Sequence, residues 1–85
     1  MTDPALDNIE ALTISDFAYI IAQDWAKPYF GAVPYLDAMK SIDTLDEMYG
    51  YDTADSVVRY FLSNANTWKG ETARLVKTEL KRRLK

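Results

Sequence analysis

DTADSVVRYFLSNAN, residues 52–66, is the stretch whose pattern decides the fold. At 100° per residue, Ala54, Val57, Val58, Phe61, Leu62 and Ala65 fall within one arc of about 140°, and Asp55, Ser56, Arg59 and Ser63 take the opposite side. A segment patterned in this way docks one helical face on a core and leaves the other in water. Asp52 is the expected N-cap, because its carboxylate can accept an orphan N–H of the first turn. Asp55, three residues on, would complete a weak capping box and faces the positive end of the helix dipole.

Working upstream, Thr13 and Asp16 have the spacing of a capping box at the start of a helix that runs to about Trp25 or Ala26. Ile14, Phe17, Ala18, Ile21 and Trp25 line one face of it. Lys27 precedes Pro28 and is therefore pushed out of the helical region, which ends the helix. KPYFGAVPYLDAMKSI, residues 27–42, reads as a turn followed by a helix from near Gly31 or Ala32 to Ser41 or Ile42. Pro34 sits in its first turn, where its missing N–H had no partner to lose. In DTLDEMYGYD, residues 43–52, Asp43 is expected to cap a short helical turn over 45–48, and Gly50 to supply its left-handed stop.

Downstream lies TWKGETARLVKTELKRRLK, residues 67–85, a last helix with Gly70 and Glu71 in its first turn and a basic last turn. Trp68, Leu75, Val76, Leu80 and Leu84 form its inner face. No segment shows convincing strand-like alternation. The expected fold is all-α: one domain over residues 1–85, a small bundle of three to four principal helices joined by short loops, with residues 1–12 as a frayed or loosely helical lead-in.

Composition narrows the chemistry. Eighty-five residues support one modest core. There is no cysteine and no histidine, which removes disulfides, thiolate and imidazole metal ligands, Ser–His or Cys–His nucleophile pairs and the usual neutral-pH proton shuttle. No cofactor, metal or small-molecule substrate is indicated, and a non-enzymatic protein is expected. No apolar run approaches the ~20 residues that cross a bilayer, so no membrane partner is expected either. The N-terminus MTDPALDNIE is acidic where a signal peptide would be basic, and a cytoplasmic location follows as the natural reading.

Charge is unevenly spread. Residues 1–66 carry eleven acidic and three basic side chains, a net of −8, whereas residues 67–85 carry two acidic and seven basic, a net of +5; together they give the overall −3. Arg74, Lys77, Lys81 and Lys85 lie on one outer face of the last helix, with Arg82 and Arg83 beside them. They could bind nucleic-acid phosphate, which needs several cations at helical spacing. They could equally be a solvated, dipole-complementing face that makes ion pairs with the acidic body, and the lack of interleaved Asn, Gln or Ser to read base edges favours that plainer account. A helix-turn-helix does not fit, because Gly70 comes too late in the SNANTWKG junction.

Six tyrosines and two tryptophans are a heavy aromatic load for this length. Trp25, Phe61 and Trp68 are expected in the core. Tyr29 and Tyr35, grouped with Phe30, and Tyr49 and Tyr51, flanking Gly50, are candidates for an interface, where tyrosine buries area at small entropic cost and keeps a polar handle. The acidic set Asp37, Asp43, Asp46, Glu47, Asp52 and Asp55 lacks the spacing of a calcium loop and is assigned to capping and solubility.

PYFGAVPYLDAM, residues 28–39, and YGYDTADSVVRYFLSNANTWKGETARLVKTELK, residues 49–81, resemble a group of small, largely uncharacterised proteins of bacteriophages and other bacterial mobile elements. The resemblance is carried by Pro34 to Met39, Tyr60 to Ala65 and Trp68 to Arg74, and covers roughly residues 25–82. It implies a phage or mobile-element origin and carries no activity with it. The functional expectation is a small accessory protein acting by protein binding and self-association, with nucleic-acid binding through the basic C-terminal helix as the alternative.

Overall fold

Four α-helices and one short β-hairpin make up the fold in a computed structural model that describes residues 4–84. A 3-10 segment, Pro4–Ala11, kinked at Asn8, leads into α1, Ile14–Asp24. Next comes α2, Val33–Met39, then the hairpin of β1, Met48–Tyr49, and β2, Asp52–Thr53. Helix α3, Ala54–Ser63, follows directly, and α4, Glu71–Leu84, closes the chain.

Local chemistry explains most of these boundaries. The capping box expected at Thr13 is present in both halves: Thr13 Oγ1 accepts from the Asp16 amide at 3.1 Å, and the Asp16 carboxylate accepts from the Thr13 amide at 2.9 Å. Pro34 occupies the first turn of α2. Gly70 adopts φ +112°, a conformation that L side chains rarely take, and its carbonyl accepts the Arg74 amide in the first turn of α4.

Three expectations between residues 43 and 53 are corrected. Residues 45–48 do not form a helical turn. Glu47 instead folds its carboxylate back onto the Asp43 and Thr44 amides, at 3.2 and 2.9 Å, stabilising a non-helical turn. Gly50, at φ +63°, is not a helix stop but the first central residue of a two-residue hairpin loop, where the strand twist calls for positive φ. The fold is therefore mostly helical rather than purely all-α. Pairing of Tyr49 with Asp52 draws Asp52 into the ladder and passes the cap to Thr53, whose hydroxyl accepts from the Ser56 amide at 3.1 Å. Asp55 makes no box and pairs with Arg59 one turn on, at 2.5 Å.

Packing closes the helices into a ring in which α1 touches α2 and α4, and α3 touches α2 and α4. Ile14, Phe17, Ala18 and Ile21 of α1 meet Leu36 and Met39 of α2, Val58 and Phe61 of α3, and Val76 and Leu80 of α4 in one buried cluster. Burial of this kind stabilises by about 25 cal/mol per Å² of apolar surface. The ends of three elements meet around aromatic rings. Trp25 stacks on Trp68 with centroids 6.0 Å apart and meets Phe61 edge-on at 6.4 Å. All three are core residues, as their spacing predicts. The Trp68 indole N–H is satisfied by Asp24 Oδ2 at 2.8 Å, so the ring is buried without an orphaned donor.

Candidate interaction surfaces

The basic face of α4 is less available than its spacing suggests. Lys77 is half-buried; its ammonium donates to the carbonyls of Ala65 and Trp68, at 2.6 and 2.5 Å, and lies 5.7 Å from the Trp68 ring centre. Burial, followed by the charges of Lys81 and Lys69, holds its pKa below the ordinary lysine value. Arg83 donates to Glu79 and to the carbonyls of Leu12, Ile9 and Glu10, at 2.7, 3.1 and 3.1 Å, with its guanidinium 4.9 Å from the centre of Phe17. It holds the 3-10 segment against α4.

Between these cations, Glu79 is buried. It accepts from Arg82 at 2.8 and 2.6 Å and from Arg83 at 2.7 Å. Hydrogen bonding from Arg82, opposed by burial and reinforced by Arg83, lowers its pKa to about 2. Arg74, loosely paired with Glu71 at 3.9 Å, and Lys81 are exposed. Lys85 lies outside the described residues. The four cations singled out in the sequence are thus not equivalent: Lys77 has a structural task, and Arg74 and Lys81 face solvent.

The aromatic candidates separate into two surfaces. On the first, Tyr29 and Phe30 contact each other with centroids 4.7 Å apart, and Tyr35 of α2 stacks on Tyr60 of α3 at 5.5 Å. Asn64 links the two pairs. Its amide nitrogen donates to the Tyr60 carbonyl at 2.8 Å, and its oxygen lies so close to Gly31 that a Cβ there would stand 2.9 Å away and 2.6 Å from the Tyr29 ring. Phe30 is 80% exposed and Tyr60 54% exposed, which is unusual for rings of this size. Beside them lies a shallow depression of about 310 Å³ lined by Tyr29, Ser63, Asn64, Asn66 and Thr67. A neighbouring one of about 370 Å³ shares Ser63 and reaches Arg59 and Lys81.

Tyr49 and Tyr51 lie on the hairpin instead. Tyr49 is exposed, Tyr51 at the turn is fully so, and Met48 accompanies them. Tyr60 stands apart in sequence from the Tyr29–Tyr35 and Tyr49–Tyr51 groups and is not among the residues expected at an interface. The signal was present, because Tyr60 is a large ring about 60° outside the apolar arc of α3. Among the described residues, no group of three or more Asp and Glu side chains is arranged to hold a metal ion, and no helix is long and apolar enough to cross a membrane. In comparisons with known proteins, no family model, curated protein or solved structure matches this chain.

Proposed function

We propose that the chain is a small non-enzymatic interaction protein, of the phage or mobile-element kind its motifs resemble, that acts by binding protein, including a second copy of itself. The observation that carries this reading is the aromatic surface of Tyr29, Phe30, Tyr35 and Tyr60, in which neighbouring rings support one another: Tyr29, Phe30 and Tyr60 remain open to solvent, and half-buried Tyr35 ties Tyr60 to the core. Rings held in this way contribute contact area with little further loss of side-chain freedom, which is what a binding surface needs. The nucleic-acid alternative would rest on Arg74 and Lys81, because Lys77 is occupied by two carbonyls.

Gel filtration with light scattering, over a range of protein concentrations, tests the proposal. A mass that rises with concentration is expected, as is a return to the monomer mass in a Phe30→Ala/Tyr60→Ala variant with unchanged circular dichroism. A wild-type mass that stays monomeric at the highest concentration, together with no amide shift changes around these rings, would refute self-association through this surface.

A further inference from the structure

From residue 41 to residue 58 the chain has five acidic side chains, Asp43, Asp46, Glu47, Asp52 and Asp55, and no lysine or arginine. The centre of this run is the hairpin, whose exposed side chains are Met48, Tyr49 and Tyr51. Tyr49 and Asp52 are cross-strand partners, so ring and carboxylate project from the same face about 5 Å apart at Cβ. Asp52 pairs with Tyr49 through the ladder, but its carboxylate has no hydrogen-bond or ion-pair partner among the described residues. Tyr51 follows at the turn, fully in water.

A ring beside an unpaired carboxylate is the pairing an arginine side chain satisfies best. The guanidinium plane can stack on the tyrosine while its N–H fork donates to the carboxylate. We propose that the acidic–aromatic hairpin Met48–Thr53 is a docking site for an arginine-rich segment of a partner protein. Charge complementarity selects the occupant: the run of acids repels nucleic acid and other acidic surfaces and attracts a cationic chain.

A second copy is a poor candidate for the cationic partner. It offers no run of free arginines: Arg83 is taken up by its own carbonyls, Arg59 by Asp55 and the Leu84 carbonyl, and Arg82 by Glu79. That leaves Arg74, loosely paired with Glu71, as the least engaged arginine among the described residues, and the exposed Lys81 has no guanidinium plane to stack. The hairpin therefore looks outward to another chain, and the proposal stands independently of the Tyr29–Tyr60 surface.

The test uses the full-length protein and a fluorescein-labelled peptide in which arginine alternates with glycine. A lysine–glycine peptide of the same length and an unlabelled single-stranded oligonucleotide serve as comparators. Anisotropy at low salt should show the arginine peptide binding more tightly than the lysine peptide, and the oligonucleotide failing to compete by binding this protein. Amide shift changes should centre on residues 48–53. Tyr49→Ala/Tyr51→Ala should weaken arginine-peptide binding about tenfold and abolish the preference for arginine over lysine. Asp52→Asn should weaken both peptides.

Tyr51 is so exposed that Tyr51→Ala alone leaves packing intact, which gives a second variant should the double one unfold. Equal affinity for the two peptides, shift changes centred elsewhere on the acidic body, affinity unaltered by the tyrosine substitutions, or direct binding of the oligonucleotide at residues 48–53 would each overturn the proposal.

Discussion

Replacing Glu79 by glutamine should destabilise the protein strongly at neutral pH and hardly at all in acid. Glu79 is 6% exposed, lies between Arg82 and Arg83, and has its pKa lowered to about 2 from an ordinary value of 4.5. Its folded pKa lies below its unfolded one, so its stabilising contribution is fully present above the unfolded pKa and is lost as pH falls toward the folded value. At 1.36 kcal/mol per unit the full contribution is about 3 kcal/mol, falling to about 1 kcal/mol at pH 3. Glutamine keeps one acceptor for the two guanidinium groups, so the expected loss at pH 7 is about 2 kcal/mol, or a fall in Tm of about 8–16 °C for a domain of this size. Urea unfolding of both proteins, followed by circular dichroism from pH 2 to pH 8, measures the difference directly. Other carboxylates titrate alike in the two proteins and cancel. A difference that stays constant over that range, or is absent at pH 7, would show that Glu79 does not carry the linkage assigned to it.

Other perturbations probe the remaining contacts. Lys77→Met keeps the aliphatic stem but leaves the Ala65 carbonyl without its side-chain donor, and should cost about 1–3 kcal/mol in urea unfolding; a loss within about 0.5 kcal/mol would mean that the ammonium is not needed there. Gly31→Ala would place a methyl 2.6 Å from the Tyr29 ring and 2.9 Å from Asn64, so Tyr29 must swing away; loss of self-association, with a stability change of only about 1 kcal/mol, is expected by light scattering and thermal melts. Gly50→Ala forces a Cβ into φ +63° and should cost about 1–2 kcal/mol, with amide shift changes confined to the hairpin. Phe61→Ala empties the meeting point with Trp25 and should cost about 3–5 kcal/mol, read from the urea midpoint and from tryptophan fluorescence.

Helical periodicity alone makes the inner faces of α1 and α3 legible, because apolar residues three and four apart have only one way to share a core. On α4 it finds Val76, Leu80 and Leu84 but misses the buried Ala73 and Glu79, and it places on the helix a Trp68 that lies before its start. Ala54, Val57, Val58 and Phe61 are buried as their arc requires, and the Thr13–Asp16 box sits where its spacing places it. The hairpin is not legible for an equally physical reason. Two-residue strands are too short to show alternation, and Tyr-Gly-Tyr-Asp is as compatible with a helix stop as with a turn until cross-strand pairing is known. That ambiguity also moves the cap from Asp52 to Thr53. The aromatic surface is half legible: the cluster at Tyr29, Phe30 and Tyr35 stands out in sequence, but its continuation onto Tyr60 depends on how α2 lies across α3.

The charge polarity of the chain has a different structural meaning from the one its totals suggest. A basic tail on an acidic body invites the expectation of ion pairs between them. The strongest contacts of α4 with other elements instead run to backbone carbonyls. Lys77 satisfies Ala65 and Trp68 in the loop after α3, and Arg83 satisfies Ile9, Glu10 and Leu12 at the end of the 3-10 segment. Arg59 does the same for Leu84 near the end of α4. Carbonyls at and beyond helix ends lack intrahelical donors and carry the negative end of the dipole, so cations are favoured there without any carboxylate partner. Ion pairs such as Asp37–Lys40, Asp55–Arg59 and Glu71–Arg74 join residues three or four apart and carry no tertiary information. The consequence is that α4 is anchored without neutralising the body. Apart from Asp55, which pairs with Arg59, the acidic side chains around the hairpin have no cationic partner among the described residues, which is the charge layout that the proposed docking of a cationic chain requires.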